Sequence, residues 1–164
     1  MPPSQPPVFL VSACLLGRRS RYDGGHKLLP GLPAELARIG AVILPVCPEA
    51  DAGLPVPRPP MDLHPAADGA PRLLTADGCD LAPVLSRWID STLPPLLRHP
   101  LTAAILKTKS PSCGTDPDGL FAAALRSVCP GLPLWTEHDA IARLAAFPDA
   151  PSSVRRFRKP RPAP

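Results

Sequence analysis

Three short apolar runs, each stopping at or shortly before a cysteine, constrain this chain more than any other feature. Residues 8–11 (Val8-Phe9-Leu10-Val11) lead to Ser12-Ala13-Cys14, residues 41–46 lead to Cys47, and residues 103–106 open into a polar loop carrying Cys113. Runs this brief, bounded by turn-forming residues, read as buried strands. Helical spacings lie between them. Leu32, Leu36 and Ile39 precede Gly40, and Val84, Leu85, Trp88, Ile89 and Leu93 recur within residues 81–97, where Pro94-Pro95 is expected to end or bend the helix. Residues 118–128 and 139–147 read as further helices, and 132–135 as a fourth strand. Strands alternating with helices imply right-handed crossovers. The expected fold class is therefore α/β, a three-layer αβα sandwich with a mainly parallel, Rossmann-like open sheet. In such a sheet the strands' carboxyl ends share one edge, so the loops of Cys14, Cys47 and Cys113 converge there although the sequence separates them.

Some stretches carry weaker patterns. Pro45 sits inside the second run, and a proline cannot donate to a central ladder. Residues 50–70, rich in Pro and Gly, are expected to cross the surface as an ordered loop, and residues 72–80 to form a short hairpin or turn around Asp77-Gly78.

A length of 164 residues with 45% hydrophobic content suits one domain, expected over residues 1–150. With aromatic residues at 4%, the core must rest on Leu, Val, Ile and Ala. The net charge of +4 invites a nucleic-acid reading until the charges are located. Five of the 18 basic residues, Arg155, Arg156, Arg158, Lys159 and Arg161, lie in residues 151–164 without an acid, which leaves 13 against 14 acidic residues elsewhere. No basic face is implied for the body, so no stable nucleic-acid partner is expected, and 151–164 reads as a basic, proline-rich, disordered tail.

The cysteines number five, an odd count, and form no Cys-x-x-Cys pair, so a disulfide framework is not expected. Pro2 to Pro7 would break a signal helix and no apolar run reaches membrane-spanning length, so the expected location is cytoplasmic, away from membranes. Cys79 and Cys129 read as small buried hydrophobes. The other three each follow a strand end beside loop-shaping residues. Three thiolates there suit zinc with a fourth ligand, an iron–sulfur cluster with one open iron, or a catalytic Cys113 with His26 or His138 as base. Residue types alone leave these open. The histidines, His26, His64, His99 and His138, show no ligand spacing.

Five blocks of sequence add a resemblance. Ser12-Ala13-Cys14-Leu15-Leu16-Gly17, Arg21-Tyr22-Asp23-Gly24, Cys47-Pro48-Glu49, the segment from Gly53-Leu54-Pro55 to Pro57-Arg58-Pro59-Pro60, and Ile105-Leu106-Lys107 through Ser110-Pro111-Ser112-Cys113-Gly114 together resemble the thiouracil desulfidase family, long known as a bacterial domain of unknown function. The resemblance spans roughly residues 8–139 in consistent order. It implies a 4Fe-4S cluster held by Cys14, Cys47 and Cys113 with the fourth iron open to substrate. It further implies loss of sulfur, as sulfide, from a small thiolated pyrimidine: 2- or 4-thiouracil, or a 4-thiouridine nucleotide. Glu49 and Ser110 fall on the family's active-site positions, Glu49 as general base towards water and Ser110 as a hydrogen-bonding or proton-relaying hydroxyl. Without the resemblance, Glu49 reads as a turn cap or a partner for Arg58, Ser110 as a turn residue, and Lys107 and Lys109 as solvated or as steering an anionic substrate. The chain departs from the family pattern at Ser20, where a cysteine is frequent, at Ala82, and in a shortened block after Cys113. The alternative in another class is a non-catalytic zinc- or cluster-binding module.

Overall fold

The computed structural model describes residues 5–65, 67–115 and 117–151. Four parallel strands, β1 (Val8–Ser12), β2 (Val42–Val46), β5 (Leu101–Leu106) and β6 (Leu134–Thr136), form one sheet in the order β2-β1-β5-β6. β1 is buried along its whole length, as a central strand covered on both faces must be. Alternate side chains serve opposite layers. Phe9, Val11, Ile105 and Trp135 pack against α1 (Leu32–Arg38) and α5 (Ala140–Ala145), whereas Leu10, Ala104 and Leu106 pack against α3 (Ala82–Leu96) and α4 (Leu120–Val128). The α/β architecture is thus as expected, with helices on both faces of a parallel sheet.

Pro45 finds its explanation in the strand order. β2 is an edge strand, and Pro45 pairs in register with Val11 on the one side that has a neighbour. A missing N–H on such a strand costs little.

Two expectations need correction. Residues 61–64 are not loop: Met61–His64 forms β3, antiparallel to β4 (Arg72–Thr75), in a separate hairpin. Met61 is buried and Asp62 exposed, a period-two alternation too short to outweigh the surrounding prolines. The turn around Asp77-Gly78 does exist, closed by the Gly78 N–H on the Thr75 carbonyl (2.9 Å) and a Leu74–Asp80 bridge, but it follows β4 and does not join β3 to β4. Pro94 and Pro95 do not end α3 where they stand, since the helix runs on to Leu96; they occupy its last turn. Residues 152–164, where the tail was expected, lie outside the described residues.

At the sheet's carboxyl edge, β5 and β6 are clamped together. Glu137, just past β6, accepts from the Lys107 ammonium (2.6 Å), the Thr108 N–H (2.8 Å) and the Thr108 hydroxyl (2.7 Å). Burial opposes ionisation of Glu137, but these three donors outweigh it and hold the carboxyl at about 2. The folded value lies below the ordinary 4.5, so the stabilisation is complete above that pH and is lost as pH falls towards 2. Glu137→Gln is expected to cost ~1–2 kcal/mol in denaturant unfolding at pH 7 and to make the loss of stability below pH ~4 shallower than in the wild type.

Candidate active site

The strand order reverses direction between β1 and β5, and open parallel sheets hold their ligands in the crevice above that point. A cavity of about 320 Å³ opens there, and Cys14, Cys47 and Cys113 all line it, together with Glu49, Arg58 and Ser110.

Each thiol is placed by a tight local device. Cys14 lies in the single 3-10 turn Ala13–Leu16 that follows β1, closed by Gly17 at φ 93°, a left-handed angle that glycine adopts without strain. Cys47 caps α2 (Pro48–Asp51): its N–H bonds the Asp51 carboxylate (2.8 Å), and its thiol approaches the Ser20 carbonyl (3.7 Å). Cys113 sits in the loop beyond β5, where its N–H donates to Ser110 Oγ (3.2 Å) and the Ser12 hydroxyl donates to its sulfur (3.3 Å). Gly114 makes the loop possible: a Cβ there would lie 2.5 Å from the Ser110 carbonyl oxygen. Lys109, at φ 54°, is the one non-glycine residue with a left-handed backbone among the described residues, a local strain beside the cavity.

Burial, then the neighbouring Cys113 and Cys47, push the Cys14 thiol up to about 12, against the pull of Arg21 and Lys107. Burial likewise raises Cys113, with Cys47 and Glu49 adding to it and the Ser110 and Ser12 hydroxyls opposing. Three free thiols therefore face one cavity, and two of them, Cys14 and Cys113, are held in the neutral form. A cationic occupant would reverse that balance, because a coordinated thiol ionises outright. The buried Ser20 hydroxyl, also on the cavity wall, has no hydrogen-bond partner among the described residues. The soft donor set fits an iron–sulfur group. No group of three His, Cys, Asp or Glu among the described residues has the spacing of a site for a single metal ion.

Glu49 is buried and paired. Its Oε2 accepts from Arg58 Nε (2.7 Å) and Nη2 (2.6 Å), and its Oε1 accepts from the Ser112 hydroxyl (2.6 Å). Arg58 also donates to the Pro55 and Ser20 carbonyls (3.1 and 2.9 Å). The Glu49–Arg58 pairing weighed from sequence is therefore present, on the cavity wall. Ser110 contacts Ser112 (3.1 Å) instead of Glu49 itself. Nothing local in the Ser-Pro-Ser-Cys block marks Ser112 as a site residue, because its partner is 63 residues away.

Other expectations resolve differently. No histidine lines this cavity and all four are exposed, so His26 and His138 offer no base to Cys113. Cys79 is exposed and not a core residue, since it sits in the turn after β4; Cys129 is half-buried against the α3–α4 layer. Lys107 is not solvated but held by Glu137. No helix among the described residues is long and apolar enough to cross a membrane.

A parallel α/β sheet with a thiol-lined crevice at its switch point defines a class of small α/β proteins built around a ligand site. Within that class the chain belongs to the 2-thiouracil desulfurase family, whose model it matches over residues 9–137. It is similar to the uncharacterized protein YbbK of Bacillus subtilis (strain 168), 31% identical over 113 residues that make up 66% of this chain and 74% of that protein. A solved structure described as the [4Fe-4S]-dependent thiouracil desulfidase TudS superposes with a TM-score of 0.69 at 31% identity, covering 85% of this chain and 95% of that one.

Arg58→Met would leave the Glu49 charge buried without its cation and is expected to cost about 3–5 kcal/mol in urea unfolding. Adding Glu49→Gln should restore part of that loss. A double variant no more stable than Arg58→Met alone would mean that Arg58 matters through packing and not through its pairing.

Proposed function

We propose that this protein is an iron–sulfur-dependent desulfidase that removes sulfur, as sulfide, from a small thiolated pyrimidine to give the uracil form. The observation that carries the reading is the meeting of Cys14, Cys47 and Cys113 on one cavity that Glu49 and Ser110 also line. Membership of the 2-thiouracil desulfurase family supports the same chemistry.

Cys14, Cys47 and Cys113 would hold a 4Fe-4S cluster, which when bound supplies a Lewis acid for the substrate's sulfur. Glu49 is the general base and takes a proton from the water that attacks the thiocarbonyl carbon. Arg58 fixes the carboxylate through Oε2 and so sets where Oε1 stands. Ser110, part-buried at the cavity, is the hydroxyl that meets substrate. Lys27 and Lys109 also line the cavity and have no ion-pair partner among the described residues, which favours an anionic substrate such as a thiolated nucleotide over the free base.

Anaerobic reconstitution with iron and sulfide should yield a brown protein that releases sulfide from 2-thiouracil, 4-thiouracil or 4-thiouridine monophosphate. Cys113→Ser is expected to lose bound iron. Glu49→Gln should keep iron and colour while turnover falls by roughly 100-fold or more. A colourless protein, or a Glu49→Gln variant with undiminished turnover, would refute the corresponding assignment.

A further inference from the structure

Glu49 is 8% exposed and Ser112 2%, whereas Ser110 is part-buried at the cavity. Hydrogen-bond bookkeeping orders the protons between them. A serine hydroxyl has one proton and two lone pairs. The single Ser112 proton is committed to Glu49 Oε1 at 2.6 Å, so across the 3.1 Å contact Ser112 accepts and Ser110 donates. Ser110 in turn accepts the Cys113 N–H at 3.2 Å and stands 3.4 Å from the Cys113 sulfur. Protons therefore point inward along one line, from Ser110 to Ser112 to Glu49. The same contacts form a continuous path from Glu49 Oε1 through Ser112 to Ser110, the one of the three side chains that is only part-buried at the cavity.

We infer that Ser112 is a positioning residue, the obligatory link of a two-hydroxyl relay that returns the proton collected by Glu49 to the departing sulfur through Ser110. The inference rests on the desulfidase reading and deepens it. In the attack, water forms the new C–O bond and Glu49 takes one of its protons. As the C–S bond breaks, its electron pair leaves with sulfur. Glu49 then hands its proton to Ser112, Ser112 its own to Ser110, and Ser110 its own to the sulfur, which departs as hydrosulfide. The second water proton leaves the new hydroxyl for solvent as the carbonyl forms. Both serines end as they began, and nothing is oxidised or reduced. The line is held taut at both ends: Arg58 occupies Glu49 Oε2, and the Cys113 N–H orients Ser110.

The test uses the reconstituted full chain, with 4-thiouracil and 4-thiouridine monophosphate as probes. Ser112→Ala is expected to keep wild-type iron content and KM while kcat falls about 100-fold. Ser112→Thr, which retains the hydroxyl, should stay within about 5-fold of wild type. Ser112→Ala combined with Glu49→Gln should be no slower than Glu49→Gln alone, because the two act as a unit. In mixed light and heavy water the wild-type kcat should follow a curved proton inventory, and the residual Ser112→Ala rate a straight one. A Ser112→Ala kcat within about 3-fold of wild type, effects that multiply with those of Glu49→Gln, or iron loss in both Ser112 variants each overturn the relay while leaving the desulfidase reading in place. A wild-type protein that binds iron but releases no sulfide from either probe overturns that reading and the relay with it.

Discussion

β1 and β5 lie side by side and parallel, yet the chain leaves them in opposite directions, to β2 on one side and to β6 on the other. No helix can cover the gap directly above them, and the site occupies that gap. The two strand ends are also stitched together chemically. Ser12, the last residue of β1, accepts the Lys107 N–H (3.0 Å) and donates to the Cys113 sulfur (3.3 Å). One hydroxyl thus ties the exit of β1 to the exit of β5 and touches the thiol carried by the following loop. The register of the sheet and the placement of Cys113 are set by the same atoms.

The site costs the fold something. Buried thiols whose ionisation is disfavoured, a carboxylate out of solvent and a left-handed lysine are arrangements that a sequence selected for stability alone would avoid. Their cost is offset nearby by a tightly packed frame: β1 is wholly buried, and Gly114 and Gly119 let the Cys113 loop pack against its own backbone where a Cβ would lie under 3 Å from other atoms. Such packing leaves the loop little freedom, which is what a preorganised site requires.

The layer order and the convergence of the cysteines were legible in the sequence because both follow from period and polarity. Four apolar runs, separated by helical spacings, leave few alternatives to a parallel sheet. Pro45 carried more information than it first showed: it marks β2 as an edge strand, which the runs alone do not say. β3 was illegible because four residues alternate too briefly among prolines to register as a strand. Ser112 was obscure for another reason. Its role depends on Glu49, 63 residues away, and no local pattern reports a partner brought close only by the fold; the nearer Glu49–Arg58 pair, 9 residues apart, was within reach of the sequence. Spacing shows which side chains leave the same edge of a sheet, but not which hydrogen-bond acceptor each of them meets there.

The ion pair with Arg58 sharpens the functional position of Glu49. A lone buried carboxylate would turn to whichever donor lay nearest and would be costly to keep charged. With both Arg58 contacts on Oε2, the carboxylate plane is locked, and Oε1 is presented in one direction, to Ser112. Arg58 is itself held by the Ser20 and Pro55 carbonyls, and the Ser20 carbonyl also receives the Cys47 thiol. The segments carrying Cys47, Glu49, Arg58 and Ser20 are therefore one hydrogen-bonded body facing the Cys113 loop across the cavity, and the Ser112–Glu49 bond is a direct link between the two. A change at that bond alters the relation of acid to thiol without touching either, so the geometry of the site is most exposed to perturbation at Ser112.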